Sequence, residues 1–216
     1  MGSTAVSVAL FTLLVAIALR VVFSLNKDLY RVGAWGELGR KALPFAALAV
    51  MVITLPLVQN ATAEWVPVTW AVLLGTAILL ANFYSVPSGE RRASRAFRKG
   101  DYEGAAEGFR EMTEQKPLAR YYAFLGAALG ARTEDSDEEP RDRAPGAISG
   151  SLQESIDAST KAVELDPDYG VAYYNRALVL RKSGRKSRAQ KDLKRALDAD
   201  LPRRFRSAAK RFLEEG

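Results

Sequence analysis

The sequence predicts an all-α protein in two parts, three transmembrane helices followed by a short solenoid of paired helices. Charge partition is the first observation behind this. Residues 1–86 hold five Lys/Arg and three Asp/Glu, whereas residues 87–216 hold 26 and 22. The second is periodicity. After residue 88, apolar residues recur at three- and four-residue spacing with almost no strand alternation, and Gly or Pro stops stand at Gly100, Pro117, Pro167, Gly184 and Pro202.

The membrane part, 1–86, contains three apolar runs: 5–25, 42–58 and 66–86. About 20 apolar residues suffice to cross ~30 Å of hydrocarbon. The first run carries one charge, Arg20, near its inner end, where a long side chain reaches the headgroups. It lacks the basic leader of a cleaved signal peptide, and Val6 stands where a myristoylation pattern needs Ser or Thr. The second run is the shortest and contains Pro56. Asn60-Ala61-Thr62 forms a glycosylation sequon between the second and third runs.

Loop charge sets the orientation. Residues 26–41 carry four basic residues and residues 59–65 carry none. Beyond the third run come Arg91, Arg92, Arg95, Arg98 and Lys99. Positive charge stays on the cytoplasmic side, so the N-terminus is expected outside and the C-terminal part in the cytoplasm. The expected location is a bacterial inner or plasma membrane.

Composition removes many chemistries. The chain has no cysteine and no histidine. Disulfides, His/Cys zinc sites, His/Cys-ligated haem and His- or Cys-dependent catalytic triads are therefore excluded. No Gly-rich phosphate loop is present, and the acids at 134–142 have no partner that would tune them for acid–base work. No enzyme activity, cofactor or small-molecule substrate is expected.

The C-terminal part, 87–216, falls into similar segments. In KGDYEGAAEGFREMTEQKP (99–117), Gly100 and Tyr102 stand at a turn, followed by Ala105, Phe109, Met112 and Pro117. RYYAFLGAALGA supplies Tyr122, Leu125 and Gly126, and its partner segment LQESIDASTKAVELDPDYG supplies Ala162 and Pro167. The third segment, from Val171, places Tyr173, Ala177, Leu180, Gly184, Ala189, Leu193 and Ala196. These spacings resemble the tetratricopeptide repeat, a 34-residue pair of antiparallel helices. About three copies fit, and RRFRSAAKRFLEEG resembles the solvent-facing capping helix such arrays need. Arg176 and Lys186 depart from the family's Leu and Tyr. Residues 132–149 read as an acidic insertion, about 17 residues beyond the standard turn.

The resemblance implies a right-handed superhelix whose concave groove, lined mainly by the first helix of each repeat, binds a peptide or helix of a partner. On this sequence those positions are Glu90, Ser94, Phe97 and Arg98, then Ala123, Ala127 and Gly130, then Tyr174, Leu178, Arg181 and Lys182. Phe97, Arg98, Tyr174, Leu178, Arg181 and Lys182 carry the aromatic and basic chemistry. Asn175 matches one residue of the family's carboxylate clamp, but its Lys and Arg companions are missing.

Residues 181–211 hold thirteen Lys/Arg and three Asp, including Arg185, Lys186, Arg188, Lys191, Arg203 and Arg204. This basic surface suits anionic headgroups, an acidic partner or simple solvation. Nucleic acid is not an expected partner, because no aromatic residues interleave on an exposed face. The expected role is a membrane-anchored interaction module: a scaffold, assembly factor or accessory subunit of a larger membrane complex. The alternative is an integral subunit of a transport, electron-transfer or photosynthetic complex whose spans build part of the core. It would draw on Arg20, Thr54, Thr76 and Asn82.

The predicted topology is tested by cysteines introduced at residues 62 and 146 of this cysteine-free chain. An impermeant maleimide should reach them from opposite sides of the membrane. Labelling of both from one side contradicts the three-span arrangement.

Overall fold

A computed structural model of the protein describes residues 13, 16–18, 20–24, 26–31, 33–59, 63–135 and 150–215. Every regular element among them is helical: α1 (Lys27–Arg31), α2 (Trp35–Gln59), α3 (Trp65–Tyr84), α4 (Ser88–Arg98), α5 (Tyr102–Gln115), α6 (Ala119–Asp135), α7 (Gly150–Leu165), α8 (Gly170–Lys182), α9 (Lys186–Asp198) and α10 (Arg203–Glu214). The chain divides into two compact units, Met1–Pro87 and Ser88–Gly216.

In the first unit, two helices among the described residues are long and apolar enough to cross a bilayer, rather than the three expected. They are Trp35–Pro56, with mean hydropathy 1.6, and Trp65–Tyr84, with mean hydropathy 1.8. Most of the expected first span, 5–25, lies outside the described residues, as does the sequon at 60–62. The second span was expected from residue 42, but α2 starts seven residues earlier. The polar stretch before Ala42 looks like a loop in sequence and is helical in the structure. Its Glu37 is buried and pairs with Arg40 at 3.6 Å. Gly33, at φ +67°, makes the turn from α1 into α2.

Helices α2 and α3 pack on each other. Trp70 Nε1 donates to Thr54 Oγ1 at 2.9 Å across this contact. No residue of α3 is buried. Val68, Val72, Leu73, Leu79 and Leu80 all project outward, a surface that water would disfavour and hydrocarbon would not.

The second unit is built by sequential packing. Each helix from α4 to α9 packs on the next, α6 also packs on α8, and α9 packs on α10. Two of the turns are the same device. Gly100 (φ +84°) follows α4, and Gly184 (φ +75°) follows α8. In the first turn, Gly100 N–H donates to Phe97 O and Asp101 N–H to Ala96 O. In the second, Gly184 N–H donates to Arg181 O and Arg185 N–H to Leu180 O. Both are Schellman closures, which need a residue at positive φ and so favour glycine. At α5, Asp101 Oδ1 also caps Gly104 N–H at 2.9 Å.

The apolar stripes supply the core in part, with Val163, Leu197, Phe205, Ala208 and Phe212 only half-buried against it. Ala105, Phe109 and Met112 of α5 are buried, as are Ile156, Ser159 and Ala162 of α7, Ala189, Leu193 and Ala196 of α9, and Ala209 of α10. Phe109 stacks on Phe124 with centroids 5.3 Å apart. The expected insertion at 132–149 begins later than predicted, because α6 runs on to Asp135. Arg132 of that extra turn is held by Glu103 of α5 at 2.8 Å. Residues 136–149 lie outside the described residues.

Helix crossings are close where side chains are minimal. A Cβ on Gly126 would lie 2.3 Å from Ser159 Oγ and 3.0 Å from Ser155 O. That approach lets Ser155 Oγ donate to Gly126 O at 2.6 Å. Alanine normally favours a helix over glycine by about 1 kcal/mol. Here Gly126→Ala should instead destabilise by about 1–3 kcal/mol, because the α6–α7 crossing must open. Thermal unfolding of the purified chain checks this, and a higher midpoint would contradict the packing.

Candidate interaction surface

The first helices of the three predicted pairs are α4, α6 and α8, and polar contacts join them. From α6, Arg120 approaches Glu90 of α4 at 3.9 Å. The Tyr121 hydroxyl also donates to Glu90, at 3.3 Å. From α8, Asn175 Nδ2 donates to Ala123 O of α6 at 2.9 Å, and Lys182 Nζ donates to Gly130 O at 2.8 Å. Asn175, the remnant of a clamp motif, therefore spends its amide N–H on the helix beside it.

The expected groove residues separate into exposed and interior groups. Arg98 and Lys182 are exposed, and Phe97 is half-buried, edge-to-face with Tyr102 at 5.4 Å. Ser94, Ala127 and Leu178 are half-buried. Ala123 and Gly130 are buried. Tyr174, at 8% exposure, belongs to the core. Its ring stacks on Phe205 of α10 at 5.4 Å. Arg181 lies over the Phe212 ring at 4.1 Å and pairs with Glu215 at 3.3 Å. Thus α10 covers part of the aromatic and basic chemistry expected on α8.

The basic residues behave differently. Lys186, Arg188, Lys191, Arg203 and Arg204 are exposed and Arg185 is half-buried. Arg204 lies over the Phe205 ring at 4.7 Å. In the first unit, the polar residues of the apolar helices bond their own backbone: Thr54 to Val50 O, Thr76 to Val72 O and Asn82 to Ile78 O.

One interior cluster was not foreseen. Arg176, a departure from the expected Leu, forms a two-point ion pair with Asp192 of α9. Nε–Oδ2 is 2.7 Å and Nη2–Oδ1 is 2.8 Å. Its remaining terminal nitrogen donates to Thr160 of α7 at 3.1 Å. The guanidinium also lies near the Tyr173 ring, 5.6 Å from its centroid. The hydrogen bonds to Asp192 hold it firmly charged despite burial. The available signal was an Arg on an apolar stripe with an Asp sixteen residues on, facing it from the paired helix.

Residues 159–191, from α7 into α9, match the family model for the tetratricopeptide repeat. This stretch carries a repeat of that type, which is a non-catalytic interaction module. No curated protein matches the chain.

Removing Arg176 strands Asp192 in a site where both side chains are mostly covered. Arg176→Ala should cost about 2–3 kcal/mol of stability. The double change Arg176→Leu, Asp192→Leu should recover most of it; equal loss in both variants would contradict the pair's role. Burial also holds the Tyr174 phenol above its ordinary pKa of 10.0, against the opposing pull of Arg211. The native state therefore favours the neutral ring. That contribution is intact below pH 10 and disappears as pH rises through the raised value. Tyr174→Phe should lose less stability than the parent chain on going to strongly alkaline pH, as read by thermal midpoints.

Proposed function

We propose that the protein is a membrane-anchored interaction module, with α2 and α3 in the bilayer and the α4–α10 unit engaging a protein partner in the cytoplasm. One observation carries this reading: a tetratricopeptide-type repeat shares a chain with two membrane-length apolar helices whose side chains stay largely uncovered. The first property binds protein, and the second needs lipid or other membrane helices.

Helices α4, α6 and α8 supply the partner-facing row. Its accessible chemistry is Arg98 on α4 and Lys182 on α8, with Phe97 and Leu178 half-buried on the same helices. An extended or helical partner segment carrying acidic groups suits that surface. The exposed basic residues of α9 and α10 add long-range attraction for the same charge. The role that fits best is a scaffold, assembly factor or accessory subunit of a larger membrane complex. Self-bonded Thr54, Thr76 and Asn82 give no support to a transport pathway through the spans.

Affinity purification of the full chain in mild detergent tests this. A partner should co-purify, and Arg98→Glu, alone or combined with Lys182→Glu, should reduce its yield about tenfold or more, with Arg98→Glu alone leaving the thermal midpoint unchanged. Undiminished recovery would remove the α4/α8 surface from the proposal, and absence of any partner would remove the interaction role.

A further inference from the structure

The segment leading into α2 folds as a compact elbow. Val22, Leu29 and Leu38 are buried inside it. Asn26 Nδ2 donates to Val22 O at 2.9 Å, and Ala34 N–H to Leu29 O at 2.9 Å. Its outer side carries three exposed aromatic rings in sequence. Phe23 meets Tyr30 edge-to-face at 5.7 Å, and Tyr30 meets Trp35 edge-to-face at 5.4 Å. Trp35 is the first residue of the membrane-length helix. Beside this ladder lies an open cleft of about 310 Å³ lined by Arg20, Phe23, Ser24, Lys27 and Tyr30.

These features combine two chemistries. Arg20 and Lys27 bring positive charge to the cleft, and both are exposed. Phe23 and Tyr30 supply its aromatic surface. Ser24 Oγ donates to Val21 O at 3.0 Å, which leaves its oxygen able to accept. Exposed aromatic rings are stable at the boundary of hydrocarbon and water, where one edge is apolar and the other wet. A ligand matched to both walls is itself amphipathic: an anionic phosphate with an attached apolar body.

We propose that the Arg20–Lys27–Tyr30 cleft binds the phosphate headgroup of an anionic phospholipid, with its acyl region against Phe23 and Tyr30. This rests on the reading that α2 and α3 cross a bilayer. The cleft gives the elbow a chosen lipid in place of general attraction to a negative leaflet.

The test uses the full chain in phosphatidylcholine vesicles containing a minor fraction of brominated phosphatidylglycerol or brominated phosphatidylcholine. A bromine atom quenches only nearby indoles. A variant with Trp65→Phe and Trp70→Phe leaves Trp35 as reporter of the cleft. A second, with Trp35→Phe and Trp70→Phe, leaves Trp65 as reporter of insertion. Trp35 should report enrichment of the anionic lipid over bulk. Each of Arg20→Gln and Lys27→Gln should lower it about fivefold, and the pair about twenty-five-fold. Arg40→Gln with Lys41→Gln, paired with Glu37→Gln so that no buried carboxylate is stranded, removes basic charge from the start of α2 outside the cleft and should leave the enrichment in place. An equal loss in that control means diffuse attraction and overturns the site. So does equal quenching of Trp35 by both lipids. If inorganic phosphate abolishes the enrichment at matched ionic strength, the occupant is free phosphate and the lipid assignment fails. Absence of quenching at Trp65 by either lipid would sink the membrane reading itself, separately from the cleft.

Discussion

Two helices can approach closely only where one of them gives up a side chain, and the second unit is organised around that constraint. A Cβ on Gly108 would lie 2.9 Å from the Ala93 Cβ. One on Gly130 would lie 2.8 Å from Val179 Cγ2, and one on Gly170 would lie 2.6 Å from Leu201 N. With Gly126, these positions bring α4 against α5, α6 against α7 and α8, and α8 against the α9–α10 turn. The larger residues then have defined spaces to fill: Phe109 and Phe124 in one part, Tyr173, Leu180 and Leu193 in another. Close approach also brings backbone carbonyls within reach of neighbouring side chains, as at Gly126 with Ser155 and Gly130 with Lys182.

The first unit obeys a different rule. Its long helices bury little against each other and leave their apolar surface outward, so their energetics depend on the surrounding medium more than on packing. Thr54 and Trp70 provide a polar contact between them. Proline is tolerated at positions 44 and 56 within α2. A bilayer leaves the carbonyls freed by these residues to be satisfied by neighbouring groups.

Features governed by local chemistry were legible in the sequence. Gly100 and Gly184 mark turns because few residues other than glycine take positive φ without strain, and the structure puts both there. The apolar stripes on α5, α7 and α9 could be read because a helix period places them on one face. Features decided by tertiary contact were not legible. The extent of α6 was missed because Arg132 gains an ion-pair partner only when α5 folds beside it. Tyr174 looked available because its position within α8 does not reveal that Phe205 arrives from α10 to stack on it. Glu37 and its polar neighbours masked the start of α2, since charge near an apolar run resembles a loop until local pairing is known. For the expected groove residues, sequence placed them on α4, α6 and α8 but could not tell which side chains stay accessible.

The Arg176–Asp192 pair constrains how this chain can diverge. Leucine at position 176 alone would leave a covered carboxylate without its partner, and an apolar residue at 192 alone would leave a covered guanidinium. Either single step sacrifices stability, while the double replacement need not. The two positions are separated by a turn in the chain yet form one heritable unit. Substitutions there should be accepted more readily together than singly, because each partner is covered only in the company of the other.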